Sequence, residues 1–280
     1  VDNDGKFAAF MLNEEADKLI SLKSDINAMF NSPILGYNSK EGIVYQFWAN
    51  RDSHDVNYFD PKTDYAPTTA ISSVSWDDSN FPNIEGFGVW AAKCNFTMGP
   101  DGKMYSRMLG GNLVRIDVEN ARGENLTNGD LVGTKDGSAY GLVFDPQDEN
   151  VFYFSNNDKH CIYKYDLRTK EWACWAGQEG KSGYLDGPIG QAMFNKPGQM
   201  CVDSEGNIIL TDTENHCIRK ITMSTGYVST LAGKPQNSGY VNGSAEDAQF
   251  KKPLGICIDN DDVMYIGDSE NRAIRRLAVE

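Results

Sequence analysis

The stretch FNKPGQMCVDSEGNIILTDTENHCIRKI at residues 194–221 returns as FKKPLGICIDNDDVMYIGDSENRAIRRL at residues 250–277. The two copies share a proline, an aspartate and an arginine at one fixed offset, as in Asp212 and Asp268 (268 − 212 = 56). A fixed period of this length, built from short β-rich runs between turn residues, is typical of a repeat architecture. The pattern therefore decides the class of fold.

Each copy predicts three antiparallel strands, because it contains three apolar runs that are separated by a tight turn and a polar turn. The second of these runs can be found six times. It lies at residues 6–10, 43–47, 103–106, 151–155, 208–212 and 263–268. The first and the last of the turns before these runs are 257 residues apart, and this distance is divided into five steps. The spacing suits a four-stranded propeller blade with a long connection. We predict an all-β fold, a six-bladed β-propeller of four-stranded antiparallel blades.

We predict a single domain over residues 1–280, because no linker or low-complexity segment interrupts the chain. The predicted blades cover residues 1–30, 31–66, 67–117, 118–166, 167–221 and 222–280. A helix over residues 12–30 is the alternative that helix propensity favours. However, residues 1–5 overlay residues 202–206, and this register makes residues 18–22 a third strand. The same register leads us to expect about two further strands before Val1 in the natural protein.

The charge and hydropathy of the chain exclude two classes of partner. The net charge is −14, from 26 Lys and Arg against 40 Asp and Glu. This charge repels phosphate backbones and no basic patch offsets it, so we predict no nucleic-acid partner. No apolar run approaches the ~18 residues that a membrane span needs, so we predict no membrane insertion by this domain. The sequence as given has no signal peptide.

The six cysteines favour core packing over a metal site, since no CxxC pair is present. Small apolar thiols at matching positions of neighbouring repeats are typical core residues. The matched pairs are Cys161 with Cys217 and Cys201 with Cys257, whereas Cys94 and Cys174 have no counterpart.

The repeat at residues 197–219, with its Asn215-His216 pair, resembles the NHL repeat, which is named after an Asn-His-Leu element. The connections around Tyr184 and Tyr240 match the longer bacterial form of that repeat. The resemblance is strong over residues 172–280, fair over 140–166 and weak before 118. It implies a six-bladed β-propeller that is usually a binding scaffold. The bacterial proteins are often exported to the periplasm or cell surface, and many carry an immunoglobulin-like IPT/TIG domain ahead of the propeller.

Three histidines are the candidate metal ligands, since neutral imidazole commonly binds metals. His160 and His216 are 56 residues apart (216 − 160 = 56), and His54 fits the same slot. We expect all three in turns between second and third strands, on one rim. A zinc or calcium site there would favour the alternative function, a metal-dependent lyase or lactonase acting at the central channel. Packed sheets lie ~10 Å apart, whereas metal–nitrogen bonds are only ~2.0–2.1 Å long. Three histidines on different blades would therefore all have to lean inward to share one metal ion. We interpret them instead as turn residues of the repeat and predict no cofactor.

Asp212 and Asp268 each end a second strand, seven residues before Arg219 and Arg275. A carboxylate between packed blades loses solvation, and a nearby Arg keeps it charged. Catalytic carboxylates would differ between blades, because a single active site breaks the repeat. These residues do not differ, so we predict structural ion pairs and no catalytic residue.

Aromatic residues are the candidate ligand-binding residues. Tyr184 and Tyr240 occupy matching positions in the long connections, and Trp76 and Phe81 lie in the irregular entry to blade three. Exposed rings on rim loops stack on sugars or anchor protein partners, whereas packing between blades is the alternative. We predict a non-catalytic binding or scaffolding module of a secreted or cell-envelope protein, recognising a glycan or protein on one rim. A purely architectural role in a larger protein is a third interpretation.

Overall fold

The computed structural model describes residues 141–278 without a break, and residues 97–107, 113–117 and 122–126 before them. In the earlier part of the chain it describes seven strands by their backbone. The chain divides into two compact units. The first consists of residues 1–108 and 112–130, and the second of residues 109–111 and 131–280.

The described strands of the first unit form three sheets. Strands β1 (Ala9–Leu12) and β2 (Leu19–Leu22) make an antiparallel pair. The next sheet is an antiparallel meander of β3 (Ile34–Asn38), β4 (Ile43–Ala49), β5 (His54–Phe59) and β6 (Pro67–Ile71). The third sheet has the order β7-β11-β10-β9-β8. Its strands are β7 (Ser75–Trp76), β8 (Thr97–Met98), β9 (Met104–Arg107), β10 (Leu113–Asp117) and β11 (Arg122–Asn125), and only the β7–β11 pair is parallel.

The second unit contains three sheets that we call A, B and C. Sheet A is the meander β12 (Leu142–Phe144), β13 (Val151–Asn156), β14 (Cys161–Asp166) and β15 (Trp172–Gly177). Sheet B has the order β16-β20-β19-β18-β17, with β16 (Gly187–Pro188), β17 (Pro197–Val202), β18 (Ile208–Asp212), β19 (Cys217–Thr222) and β20 (Tyr227–Ala232). Sheet C consists of β21 (Pro253–Ile258), β22 (Met264–Asp268) and β23 (Ala273–Leu277).

Helical structure in the described residues is limited to short turns. Single 3-10 turns, Thr213–Asn215 and Ser269–Asn271, follow the second strands of sheets B and C. In the part of the chain that the structure describes, no helix is long and apolar enough to cross a membrane.

Strands overlap all six predicted second runs, as β1, β4, β9, β13, β18 and β22. The overlap is smallest for β1, which shares only residues 9 and 10 with the predicted run at 6–10. Residues 19–22 form a strand rather than a helix. The sheets end later than the predicted blade boundaries, because β6, β15 and β20 are fourth strands that follow residues 66, 166 and 221. These outer strands lack the strong apolar pattern of the second and third strands. Sheets of described strands contain between two and five strands rather than a uniform four.

The core of the second unit lies between its sheets, and β18 shows why. Every residue of β18 is buried, since the strand has a sheet on each side. Successive side chains of a strand point to opposite faces. Ile208 and Leu210 therefore pack with Tyr153 and Ile162 of sheet A, whereas Ile209 joins the apolar cluster shared with sheet C.

The predicted packing of cysteines holds for the pair Cys161 and Cys217, which are both buried. Cys201 is half-buried and packs against the cluster shared with sheet C. The prediction was wrong for Cys257, which is exposed. Its neighbour Ile256 faces sheet B, so Cys257 points to the opposite face, which no other described sheet of this unit covers.

Adjacent sheets approach closely at the first strands of sheets B and C. The hydroxyl of Ser155 donates to the carbonyl of Gly198 at 2.6 Å, and that of Thr211 donates to the carbonyl of Leu254 at 3.0 Å. A Cβ on Gly198 would lie 2.5 Å from Thr211 Oγ1 and 2.9 Å from the Leu254 carbonyl oxygen. Glycine at this position therefore permits the hydroxyl contacts between sheets.

We expect Gly198→Ala to destabilise the protein by about 1–3 kcal/mol, because the added methyl overpacks the contact between sheets. The measurement is the free energy of unfolding from urea titration followed by tryptophan fluorescence. The matched control is Gly190→Ala, since a Cβ at Gly190 would meet nothing within 4 Å. Equal stability of the two variants would contradict this account of Gly198.

Candidate binding site on the connections between sheets

Two long connections lead into sheets B and C. Connection 1 is residues 178–196 and connection 2 is residues 234–252. Connection 1 folds back on itself, with the Gly183 amide donating to the Phe194 carbonyl at 3.0 Å, and the same bond recurs 56 residues later at 3.1 Å. The predicted site residues Tyr184 and Tyr240 follow these amides, so they occupy equivalent places.

Arg219 of β19 holds connection 1 against sheet B. Its Nη1 donates to Asp212 Oδ2 at 2.7 Å and to the Met193 carbonyl at 3.1 Å. Its Nη2 donates to the Leu185 carbonyl at 2.9 Å and to Asp186 Oδ1 at 2.7 Å. The side chain is fully buried. The predicted ion pair is confirmed, but the guanidinium also binds the connection itself.

Arg275 of β23 repeats this arrangement in sheet C. It donates to Asp268 Oδ2 at 2.9 Å and to the carbonyls of Gln249 and Val241 at 3.1 and 2.7 Å. Its fourth acceptor is Asn242 Oδ1 at 2.7 Å, where sheet B has a carboxylate. The arginine of sheet B therefore faces two carboxylates, and that of sheet C faces one.

The guanidinium groups also lie over aromatic rings. The Cζ atom of Arg219 is 4.9 Å from the ring centroid of Tyr184 and 5.2 Å from that of Phe194. The Cζ atom of Arg275 is likewise 4.9 Å from the ring centroid of Tyr240. Such cation–π contacts are stronger where the cation is desolvated. Each tyrosine therefore uses its ring in a structural contact.

The two tyrosines differ in exposure although their sequence contexts match. Tyr184 is half-buried, and its hydroxyl forms a hydrogen bond of 2.8 Å with Thr230 Oγ1 in β20. Tyr240 is 61% exposed. Of this pair, Tyr240 offers the larger surface to a ligand.

The other two predicted ligand-binding residues lie in the first unit. Trp76 is the last residue of β7, and its side chain lies outside the described residues, as Phe81 does altogether. The structure therefore places Tyr184 and Tyr240 on successive connections and leaves Trp76 and Phe81 as predictions.

Asp212 is built into the fold rather than free for catalysis. Its Oδ1 accepts the Asn195 amide at 2.8 Å, and its Oδ2 accepts Asn215 Nδ2 at 2.8 Å in addition to Arg219. Complete burial raises the pKa of Asp212 to about 6, while the charge of Arg219 and these hydrogen bonds oppose the rise. The carboxylate is therefore ionised at neutral pH, with both oxygens occupied.

The histidines of sheets A and B tie each sheet to the next connection. His160 and His216 have left-handed backbones, with φ of 55° and 59°. Their Nδ1 atoms accept the amides of Lys196 and Lys252 at 3.1 and 3.2 Å. Such a bond needs a neutral ring with its proton on Nε2. The sequence places these histidines in turns, as observed, but did not reveal this bond to a residue 36 positions away.

His54 is the first residue of β5 rather than a turn residue, because the hairpin is tight enough for it to pair with Ala49. Its side chain lies outside the described residues. Within the described residues, no group of three or more His, Cys, Asp or Glu side chains could hold a metal ion. Zinc or calcium binding by this chain stays a prediction, and so does its absence.

We expect Arg219→Met to destabilise the protein by about 3–5 kcal/mol, because the change leaves Asp212 buried without its cation. The measurement is the free energy of unfolding in urea at neutral pH. The control is Arg168→Met: Arg168 pairs with Asp148 and Asp166 but is 54% exposed, so we expect no measurable change. A loss no larger than that of the control would refute the structural role of Arg219.

We expect the contribution of His160 to stability to fall as the pH falls. Burial, and then the charge of Lys196, lower the pKa of His160 below its ordinary value of 6.5. The unfolded chain therefore binds the proton more readily, and stability present above pH 6.5 is lost below it. His160→Asn keeps a left-handed backbone accessible without titrating.

The test compares the unfolding free energies of wild type and His160→Asn between about pH 7.5 and 5. The difference between the two should shrink on acidification. A difference that grows as the pH falls would show that the protonated ring is the one that the fold favours.

Comparison with known proteins places the repeat in a family. The family model of the NHL repeat matches residues 194–221. The NHL repeat-containing protein 2 of Gallus gallus is 30% identical over 152 residues, which are 54% of this chain and 19% of that protein. Protein SUPPRESSOR OF QUENCHING 1, chloroplastic, of Arabidopsis thaliana is 25% identical over 271 residues, 90% of this chain and 25% of that protein. The chain thus spans a quarter or less of these relatives.

Solved structures share the fold. A structural genomics protein of unknown function from Bacteroides thetaiotaomicron has a TM-score of 0.78 at 23% identity, over 95% of this chain and 62% of that one. An auxiliary nutrient binding protein from the same organism has a TM-score of 0.72 at 22% identity, over 96% of this chain and 63% of that one. These neighbours are propeller-like and share an all-β fold of antiparallel sheets with this chain. Residues 194–221 are therefore an NHL repeat, and the chain is a relative of the NHL-repeat-containing proteins.

Proposed function

We propose that this chain is a non-catalytic binding module whose sheets are the blades of a single six-bladed propeller, with four strands in each complete blade. It recognises a glycan or a protein partner through aromatic residues on one rim. Trp76, Phe81, Tyr184 and Tyr240 are the residues that we assign to this contact.

The observation that carries the proposal is the exposure of Tyr240 on a connection that the fold holds in place. Arg275 fixes connection 2 by two carbonyl bonds and by Asn242, and it lies against the Tyr240 ring. The residue is 61% exposed, and a ring that is held from one side loses little conformational freedom on binding. Rigid aromatic side chains of this kind are typical anchors for partners.

The chemistry-bearing side chains of the second unit support a non-catalytic role. Asp212 and Asp268 are bonded to arginines, and the Nδ1 atoms of His160 and His216 accept backbone amides. Groups already engaged in repeated structural contacts suit a structural role better than proton transfer or metal binding.

The named function of structural neighbours also supports a binding role. Two neighbours are called auxiliary nutrient binding proteins, from Bacteroides thetaiotaomicron and Bacteroides ovatus. By analogy we propose that this chain belongs to an exported bacterial protein of the periplasm or cell surface. An IPT/TIG domain ahead of the propeller is part of the same proposal and rests on the family resemblance alone.

Binding can be tested with an array of neutral and acidic polysaccharides. We expect Trp76→Ala and Tyr240→Ala to weaken binding several-fold or more, since truncation of an aromatic anchor typically costs more than ~1 kcal/mol. The matched control is Trp172→Ala, because Trp172 is 41% exposed but lies on β15 and not on a connection.

Equal binding by all three variants would refute the assignment of the site. If no polysaccharide binds, and no protein partner is captured in a way that depends on Tyr240, the binding role is refuted. The purely architectural interpretation would then hold instead.

A further inference from the structure

Sheet A contains two free thiols, Cys161 on β14 and Cys174 on β15. In the ladder between these strands, Cys161 lies opposite Gly177 and Cys174 lies opposite Tyr163. Directly opposed residues of an antiparallel pair point to the same face, and so do residues two apart along one strand. The two cysteines are therefore diagonal neighbours on one face of sheet A.

A bulge in the hairpin produces this arrangement. The register of the ladder shifts between Ile162 and Tyr163. An unshifted ladder would place Trp175 opposite Tyr163 and turn Cys174 to the other face, because successive side chains of a strand alternate. The extra residue in β15 instead brings Cys174 to the face of Cys161.

The two thiols also interact directly. The Cys174 sulfur lies 3.8 Å from the carbonyl oxygen of Gly177, the residue that pairs with Cys161. A hydrogen bond from the Cys161 thiol lowers the pKa of Cys174, while burial and the charge of Glu179 oppose the change. The same bond, and then burial, raise the pKa of Cys161.

Solvent reaches the two thiols unequally. Cys161 is fully buried, whereas Cys174 is half-buried. The thiolate is the form of cysteine that attacks a disulfide, and the attack requires access to the sulfur. Cys174 is therefore suited to attack an oxidant from solvent, and Cys161 is suited to react only with Cys174.

We propose that Cys161 and Cys174 form a redox-active pair, which reacts with small-molecule disulfides such as oxidised glutathione and closes into a reversible disulfide within sheet A. This modification site is independent of the proposed binding function. The Cys174 thiolate attacks one sulfur of the oxidant, so that a mixed disulfide forms and one glutathione thiolate leaves. Cys161 then loses its proton and attacks the Cys174 sulfur, which forms the internal disulfide and releases the second glutathione thiolate. Two electrons pass from the protein to the oxidant, and the two glutathione thiolates take up the two protons that the cysteines lose.

Closure of the pair requires a local movement of the hairpin. A disulfide holds its two Cβ atoms ~3.8 Å apart, which is closer than a regular diagonal pair allows. The bulge lies between the two cysteines, and the ladder is already disrupted at such a site. The movement therefore falls on irregular backbone and leaves the rest of the sheet in place.

The test treats the reduced full chain with oxidised glutathione and maps its tryptic fragments without reduction. Trypsin separates the two cysteines, because Lys164, Arg168 and Lys170 lie between them. We expect one cross-linked product that joins residues 160–164 to residues 171–181, with the loss of two hydrogens and with release of the two fragments by dithiothreitol.

Single variants separate the roles of the two thiols. In Cys161→Ser, we expect glutathione to stay attached to Cys174, because no thiol remains to displace it. In Cys174→Ser, we expect Cys161 to stay unmodified in the folded protein, since no oxidant reaches it. Cys217 is the internal control, because it is equally buried but its sheet has Thr230 at the place of Cys174 (230 − 174 = 56). It should stay reduced in every sample.

Three results would overturn the proposal. The first is a wild-type chain in which both cysteines stay reduced or carry separate glutathione groups. The second is a disulfide that joins either cysteine to a different partner. The third is modification of Cys161 in folded Cys174→Ser as fast as in wild type, which circular dichroism of that variant allows to be distinguished from unfolding. If Cys161→Ser does not fold, the wild type and Cys174→Ser still decide the outcome.

Discussion

The buried guanidinium of Arg219 is the interaction on which the second unit depends. A charge removed from water is tolerated only when it is paired and hydrogen-bonded. Arg219 meets this condition with four bonds, and its Nε is the one nitrogen left without a partner among the described residues. Two of the four acceptors are carbonyls of connection 1. The ion pair thus fixes a segment that has no strand partner along most of its length, and with it the place of Tyr184.

Sheet A shows that the ion pair is one of two solutions. The counterparts of Asp212 and Arg219 are Asn156 and Tyr163 (212 − 56 = 156; 219 − 56 = 163). Both are fully buried, and the Tyr163 ring stacks on Phe154 at 5.3 Å between centroids. Replacing a buried ion pair with well-packed neutral groups is often neutral or stabilising. This replacement leaves two buried polar atoms unsatisfied, since Asn156 Nδ2 and Tyr163 Oη have no hydrogen-bond partner among the described residues.

Periodicity explains what could be predicted from the sequence. The second strands and the Asp–Arg pairs follow from local pattern, because strand alternation and a seven-residue separation across one hairpin need no distant partner. The fourth strands are harder to place from the sequence, because β15 and β20 have mixed exposure and weak alternation. The bonds from the histidines to Lys196 and Lys252 span 36 residues. No local signal reports them, although the matched spacing of His160 and His216 was a hint of a shared structural role.

The exposure of Tyr240 could not be predicted at all, because it is not a property of its own surroundings in sequence. Tyr184 and Tyr240 sit in matching connections over matching arginines, yet one bonds to Thr230 and the other does not. In sheet B the partner lies on β20, and no described strand takes that place in sheet C. Asn242 keeps with Arg275 the bond that Asp186 makes with Arg219, so the arginine holds both connections although a carboxylate in one is an amide in the other.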